Sequence, residues 1–381
     1  MLNAVLIIDK PAGLTSHDVV NRLRRITGER SIGHLGTLDP MATGVLPMVL
    51  GRYTRLAQFF TDARKTYEGE IRLGFATTTY DAEGDPVTPS GEPLATEADP
   101  NRELATHVLP TLDQIRAQLP AFTGRILQRP PDFSAKKVKG VPAYKLARRE
   151  KPVELAPVEV EVHRFELLSM DGDLVRFVTE VSAGTYVRSL AHNLGQELGC
   201  GAHLASLRRT ASGEFNISDA ITIDGLAAYT EYLKKNLDVN RNDSSLSEYT
   251  LSDMSNKSNA PEEVNGNLAD PPSALPSTEP SASISDPEVA ADIAPSVVTQ
   301  LSSPYLHPRR ILANMPSVTA APDIVAAIRN GRPVNLPEFS DAALVKVFAS
   351  RDLLLAVAQR IAGTLFQPKV VLYSGNEPMP E

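Results

Sequence analysis

Gly33-His34-Leu35-Gly36-Thr37-Leu38-Asp39-Pro40 sets one carboxylate between a glycine-bracketed histidine and a proline-rigidified turn. Glycine opens backbone conformations closed to other residues, and Pro40 fixes its own φ while biasing Asp39 away from the helical region. Such a loop holds a carboxylate at a set angle. Two readings fit the eight residues: Asp39 caps a short helix with Pro40 at its first position, or it is a reactive acid.

Outward from this loop the hydrophobic pattern alternates between two periods. Residues 4–8 read as a buried strand, and Ser16 reads as the N-cap of a helix that runs to about Ile26, presents Arg22, Arg24 and Arg25, and ends at Gly28. From Tyr67 to Phe75 the apolar Tyr67, Ile71, Leu73 and Phe75 fall on one face, with Glu68, Glu70 and Arg72 on the other. That is a half-buried strand with Tyr67 facing inward. Residues 158–168 and 174–181 form a strand pair joined at Asp171-Gly172-Asp173, and residues 186–198 have helical spacing that stops at Gly199. Strands and helices mix without a βαβ repeat, so the fold class is α+β.

At 381 residues, two folded units with connecting material are expected. The formal charge of −8 is distributed very unevenly. Residues 238–304 hold eleven Asp or Glu against two Lys or Arg, with 14 Ser, 8 Pro and no Phe or Trp, so they read as a disordered acidic linker. Between residues 125 and 149 eight cations (Arg125, Arg129, Lys136, Lys137, Lys139, Lys145, Arg148 and Arg149) meet a single Asp132. This is a surface suited to phosphates. After the linker, residues 305–373 read as a small β-rich module with a helix near 325–329 and short strands near 344–349, 353–359 and 369–372. The lone Cys200 excludes an intrachain disulfide, which fits a reducing cytoplasm, and the early apolar run is broken by Asp9 and Lys10 before it could form a leader or a spanning helix.

The chain carries no phosphate-binding P-loop, no dinucleotide glycine fingerprint, no HExxH and no CxxC, and its seven histidines lack ligand spacing. A mechanism without metal or cofactor is expected. Four further stretches carry chemistry-bearing residues. Lys65-Thr66-Tyr67 puts a tyrosine at a strand end, as a core residue or as a ring that stacks on an unpaired base. Gly184-Thr185-Tyr186-Val187-Arg188 sets a tyrosine and an arginine at a helix start. Residues 200–209, ending Leu207-Arg208-Arg209, read as a strand with a solvated end. Arg129-Pro130-Pro131-Asp132-Phe133-Ser134 followed by Lys136 and Lys137 mixes stiff prolines, an aromatic and cations, as a plain basic loop or an RNA-facing one.

Taken in order, these stretches resemble the TruB-type tRNA pseudouridine synthases, the family that converts uridine 55 in the TΨC loop of tRNA. The likeness runs from Lys10-Pro11-Ala12-Gly13-Leu14-Thr15-Ser16 through the Asp39 loop with Ala42-Thr43-Gly44-Val45-Leu46-Pro47 to the arginines after Leu207, about residues 1–225. It implies a pseudouridine synthase fold over residues 1–237, with a mixed, mainly antiparallel central sheet, the linker 238–304, a PUA-like β-barrel module at 305–373 and a tail at 374–381. It further implies Asp39 as the essential nucleophile or base, with Arg188 pairing with it and keeping it ionised. Tyr67 would stack on the uracil and aid proton transfer, and Tyr186 and Leu207 would complete the pocket. His34 would support the flipped nucleotide, and Lys10, Lys136 and Lys137 would contact the RNA. The implied partner is a tRNA TΨC stem-loop, bound by a cytoplasmic monomer with no metal, cofactor or membrane. Asn193 departs from the family's usual aspartate. Two other classes remain open from sequence: a tRNA-binding protein in which Asp39 is incidental, and an N-glycosidase.

Overall fold

Thr15, one residue earlier than expected, opens the first helix. Its hydroxyl accepts from the Asp18 N–H at 3.1 Å while the Asp18 carboxylate accepts from the Thr15 N–H at 3.0 Å, a reciprocal capping box. Gly28 ends the helix in the left-handed region at φ 73°. Ser16 is thereby released from the cap and faces the Asp39 loop instead.

The computed structural model describes residues 2–94, 109–134, 136–138, 140–143, 146, 149, 155–242, 303–375 and 379. The elements run β1 (Ala4–Lys10), α1 (Ser16–Thr27), β2 (Ile32–His34), β3 (Thr43–Leu50), a 3-10 stretch (Gly51–Phe59), β4 (Lys65–Leu73), β5 (Ala76–Thr77), β6 (Pro86–Val87), α2 (Leu112–Gln118), β7 (Gly124–Gln128), β8 (Lys137–Val138), β9 (Val141–Pro142), β10 (Val158–Asp171), β11 (Leu174–Val181), α3 (Val187–Glu197), β12 (Ala202–Ser212), β13 (Phe215–Asn216) and α4 (Ile223–Asn242). Then come β14 (Tyr305–Leu306), β15 (Ser317–Thr319), α5 (Pro322–Arg329), β16 (Val334–Asn335), β17 (Leu344–Phe348), β18 (Leu354–Ala362) and β19 (Leu365–Val371). The expected linker falls almost wholly on residues 243–302, outside the described residues.

A ten-stranded sheet in the order β14-β1-β3-β12-β4-β11-β10-β7, with β2 on β3 and β13 on β12, forms the body. Its one parallel pairing is β3 with β12; the rest are antiparallel, as the mixed sheet requires. Gly44 makes the parallel contact feasible. It lies opposite Arg209 at φ +97°, and a Cβ there would sit 2.2 Å from the Arg209 carbonyl oxygen. This close crossing brings the Asp39 loop, which leads into β3, alongside β12.

Strand alternation sorts the core. Leu6, Ile8, Leu46 and Met48 point to the face that carries Val19 and Leu23 of α1 and Leu190 and Leu194 of α3. Val5, Ile7, Val45 and Val49 point the other way, into a cluster with Ile311, Leu312, Phe348 and Leu355 of the C-terminal residues. Those residues build a second, five-stranded sheet, β15-β17-β18-β19-β16, which fits a PUA-like module. It is joined to the body by more than apolar packing. β14 adds to the edge of β1, and the Glu214 carboxylate accepts from the backbone N–H groups of Leu312 at 2.6 Å and Ala313 at 2.7 Å. The described residues of 1–231 and 304–380 accordingly form one compact unit.

Candidate active site

The Asp39 loop contains no helix, so the capping alternative is absent; the Asp39 carbonyl instead accepts from the Ala42 N–H at 3.1 Å and closes a turn around Pro40. Two buried polar side chains hold this turn from either side. The Ser16 hydroxyl accepts from Leu38 N–H at 2.9 Å and donates to Leu38 C=O at 3.2 Å. The Lys10 ammonium donates to the carbonyls of Pro11 at 2.9 Å, Leu14 at 2.7 Å and Pro40 at 3.1 Å. Expected at a substrate, Lys10 is instead 0% exposed with its donors turned inward, so it braces the loop. Burial lowers its pKa to about 8, against the pull of Asp39. Lys10→Met takes the donor from the Pro11 and Leu14 carbonyls, while Pro40 C=O keeps its bond from Gly13 N–H at 2.9 Å, and a stability loss of about 2 kcal/mol is expected in urea denaturation, from the cost of acceptors left without a partner.

Arg188 comes to Asp39 from the first turn of α3. Its Nη2 donates to Oδ1 at 3.1 Å, and its Nε lies 2.9 Å from Oδ2 as an ion-pair contact without hydrogen-bond alignment. Only 5% of the arginine side chain is exposed. Its other donors are used as well: Nη1 bonds Thr79 C=O at 3.1 Å and Nη2 bonds Phe133 C=O at 3.1 Å. Nη1 also lies 3.2 Å from Oδ2 of Asp81, whose side chain is 3% exposed. Asp81 Oδ1 accepts from the Thr79 hydroxyl at 2.5 Å and the Glu83 N–H at 3.1 Å. The guanidinium therefore bridges two carboxylates. Asp81 was not among the residues expected from sequence, and the signal for it is faint: a Thr79-x-Asp81-x-Glu83 turn between β5 and β6.

Arg188 pairs with Asp39 as expected, but it is shared with Asp81. Burial in the cleft raises the Asp39 pKa; Arg188 pulls it down, Asp81 adds to the rise, and the net direction is upward. About a third of the Asp39 side chain, 35%, still reaches the open cleft.

That cleft has a volume of about 330 Å³, and its lining includes Asp39, Tyr67, Tyr186, Arg188 and Leu207 together with Lys65 and Ser134. Five expected residues thus meet in one cavity. Tyr67 sits opposite Arg209 on β12, and Leu207 opposite Gly69 on β4. Tyr186 is the N-cap of α3, and burial raises its phenol pKa. Asp39 is the one carboxylate among the lining residues. Asp81 is held behind Arg188 and cannot serve a water in the cleft.

Lys10, His34, Lys136 and Lys137 lie outside the lining, whereas Arg209 is part of it. His34 ends β2; its Nδ1 is buried with no hydrogen-bond partner, and burial, reinforced by Arg209, lowers its pKa, so the ring is mainly neutral at pH 7. Lys136 is exposed, and Lys137 belongs to the β8–β9 hairpin. Arg209, read as a solvated end, is 1% exposed, with Nε on Val45 C=O at 2.7 Å and Nη2 on Gly36 C=O at 3.1 Å. Arg208 is the outer of the pair and meets Asp9 at 2.8 Å. Asn193 lies exposed on α3, so the family departure falls on an outward face. Among the described residues no group of His, Cys, Asp and Glu is placed to hold a metal, and no helix is long and apolar enough to cross a membrane.

A mixed sheet with an arginine-held aspartate in a tyrosine-walled cleft defines a protein of the pseudouridine synthase fold. Solved structures agree: a Cbf5-Nop10-Gar1 complex matches with a TM-score of 0.58 at 23% identity, covering 98% of this chain and 86% of that one. The family model "TruB family pseudouridylate synthase (N terminal domain)" matches residues 24–187, and "tRNA pseudouridylate synthase B C-terminal domain" matches residues 188–249. A tRNA pseudouridine synthase B of Solibacter usitatus is 50% identical over 225 residues, 59% of this chain and 72% of the relative. One of Opitutus terrae is 45% identical over 227 residues, covering 60% and 88%. The chain belongs to the TruB family of pseudouridylate synthases. Neither matched model extends past residue 249, so β14–β19 lie beyond both.

Proposed function

We propose that this protein isomerises uridine 55 in the TΨC loop of tRNA to pseudouridine. The observation that carries the reading is the Asp39–Arg188 pair in the cleft between Tyr67, Tyr186 and Leu207, with Asp39 the only acid among the described residues that line it. The reaction breaks the bond from C1′ to N1, turns the uracil and joins C1′ to C5. N1 gains a hydrogen and C5 loses one, so the change is redox-neutral and consumes nothing. One carboxylate suffices, as nucleophile or base. A hydrolase of glycosidic bonds ordinarily sets a second carboxylate to activate water, and the lining supplies none.

A stacked uridine must leave the stack to reach Asp39. Tyr67 stacks on the extruded uracil, Tyr186 and Leu207 close the pocket, and the neutral His34 supports the disturbed loop. Lys136, Lys137 and the neighbouring cations contact phosphates, which makes binding salt-dependent. Residues 305–373, with eight Lys or Arg against four Asp or Glu, extend the RNA surface. On this reading the protein works as a cytoplasmic monomer without metal or cofactor, and residues 238–304 serve as a linker.

Tritium release from C5-labelled uridine in a TΨC stem-loop transcript tests the proposal. Stoichiometric release with no free uracil is expected. Tight binding without release would leave only an RNA-binding role, and free uracil would make the protein an N-glycosidase.

A further inference from the structure

Gln128 is the last residue of β7 and is 1% exposed. Both ends of its carboxamide engage a single backbone unit: Oε1 accepts from the Tyr186 N–H at 2.8 Å and Nε2 donates to the Tyr186 C=O at 3.0 Å. Tyr186 is the N-cap of α3, extended at φ −101° and ψ 107°, and its own side chain makes no capping bond. Its carbonyl also accepts from Leu190 N–H at 3.2 Å, so Gln128 takes the second lone pair of an oxygen already in the helix. The loop before it passes through Gly184 at φ +84° and supplies little stiffness of its own.

The neighbouring contacts run the same way. The Ser189 hydroxyl donates to Arg129 C=O at 3.2 Å, and Arg188 Nη2 donates to Phe133 C=O at 3.1 Å. Residues 128–133 and the start of α3 are thus joined at four hydrogen bonds, two of them from one buried amide. The two residues held between them, Tyr186 and Arg188, both line the cleft beside Asp39. Ser16 grips Leu38, on the other side of the ion pair, with the same two-bond geometry.

We propose that Gln128 is a positioning residue for the isomerisation: by clamping the Tyr186 backbone it sets where the Tyr186 ring and the Arg188 guanidinium meet Asp39. The role rests on the function proposed above, so its test includes a measurement on the free protein that needs no turnover. The charged and titratable groups facing Asp39 are Arg188 from α3, Tyr186 at its cap, Asp81 and Glu83 from the β5–β6 connection, and Lys10 from β1. Displacing Arg188 removes the strongest influence holding the Asp39 pKa down.

In Gln128→Met the Asp39 carboxyl, followed by carbon-13 NMR in the full chain, is expected to titrate at least about half a unit higher than in wild type. Single-turnover isomerisation is expected to slow roughly ten- to a hundredfold, with tRNA Kd changed less than about threefold. Gln128→Glu, whose buried carboxyl takes up a proton and then reproduces both bonds, is expected to rank between wild type and Met. Gln128→Asn keeps the amide but withdraws it by one methylene, and it replaces Met if Met does not fold; the same upward shift is expected. An unchanged Asp39 titration in a folded Met or Asn variant overturns the positioning role, whatever happens to the rate. A wild-type rate does so too. An inactive wild-type protein with the shift present would instead count against the isomerase reading alone.

Discussion

Asp39→Asn is expected to lower single-turnover pseudouridine formation by at least about 10⁴-fold while leaving the tRNA Kd within a few-fold of wild type. Asparagine keeps the shape and one acceptor for Arg188 Nη2 but can neither attack nor take a proton. The folding effect runs in the opposite direction. Because the net pKa of Asp39 is raised in the folded protein, the native state holds this proton more tightly than the unfolded chain. Stability from this group is therefore present below its ordinary pKa and falls as pH rises toward the folded value. At a pH above the folded value the ionised carboxylate is a burden that asparagine removes, so there the thermal midpoint is expected to hold or rise. Wild-type activity should show the counterpart, an acid limb above the ordinary aspartate range. A tRNA-binding protein with an incidental Asp39 would lose nothing on this substitution.

Arg188→Met is the second large change, and it is expected to damage fold and reaction together. It removes the cation between Asp39 and Asp81 and leaves two carboxylates facing each other without compensation. Breaking a buried pair in this way costs about 3 to 5 kcal/mol. Loss of a directed donor at the reacting group costs about 10²- to 10³-fold in rate, and the acid limb of what remains should move further upward as Asp39 loses its counter-charge. A cycle with Asp81→Asn separates the two effects: the double variant regains stability, because only one carboxylate is left, and does not regain activity. If Arg188→Met and Asp81→Asn were additive in stability, the bridge between the carboxylates would be of no energetic consequence. Arg188→Lys is also expected to fail, since a point charge cannot reach Asp39, Asp81 and two carbonyls at once.

Much of this arrangement was legible in the order of the residues, and what was not has a common cause. The inward face of β4 and the β10–β11 hairpin follow from period-two alternation and from Asp171-Gly172-Asp173, because both are local. Asp39, Tyr67, Tyr186, Arg188 and Leu207 follow from motifs whose order is itself specific. Lys10 and Arg209 were misplaced because a cation reads as a surface group until the carbonyls that receive it are known. One acceptor of each, Pro40 C=O for Lys10 and Gly36 C=O for Arg209, lies on the Asp39 loop, 30 and 173 residues away along the chain. Asp81 and Gln128 were missed for a related reason. Each is an ordinary polar residue locally, and each acquires its role only when folding places Arg188 or Tyr186 against it. The helix start moved from Ser16 to Thr15 because both are good caps, and the Asp39 loop claims the second hydroxyl.

The docking of β14 on β1 bears on how the chain can change over time. Residues 243–302 are flanked in sequence by α4 on one side and, on the other, by a strand pair backed by Glu214 and a shared apolar cluster. Lengthening a connection between fixed points costs only about 0.6 kcal/mol per doubling. Sixty residues of acidic, serine-rich sequence between these two anchors therefore add little to the cost of closing the connection. A connection whose length is thermodynamically cheap leaves its composition free to drift or to be recruited.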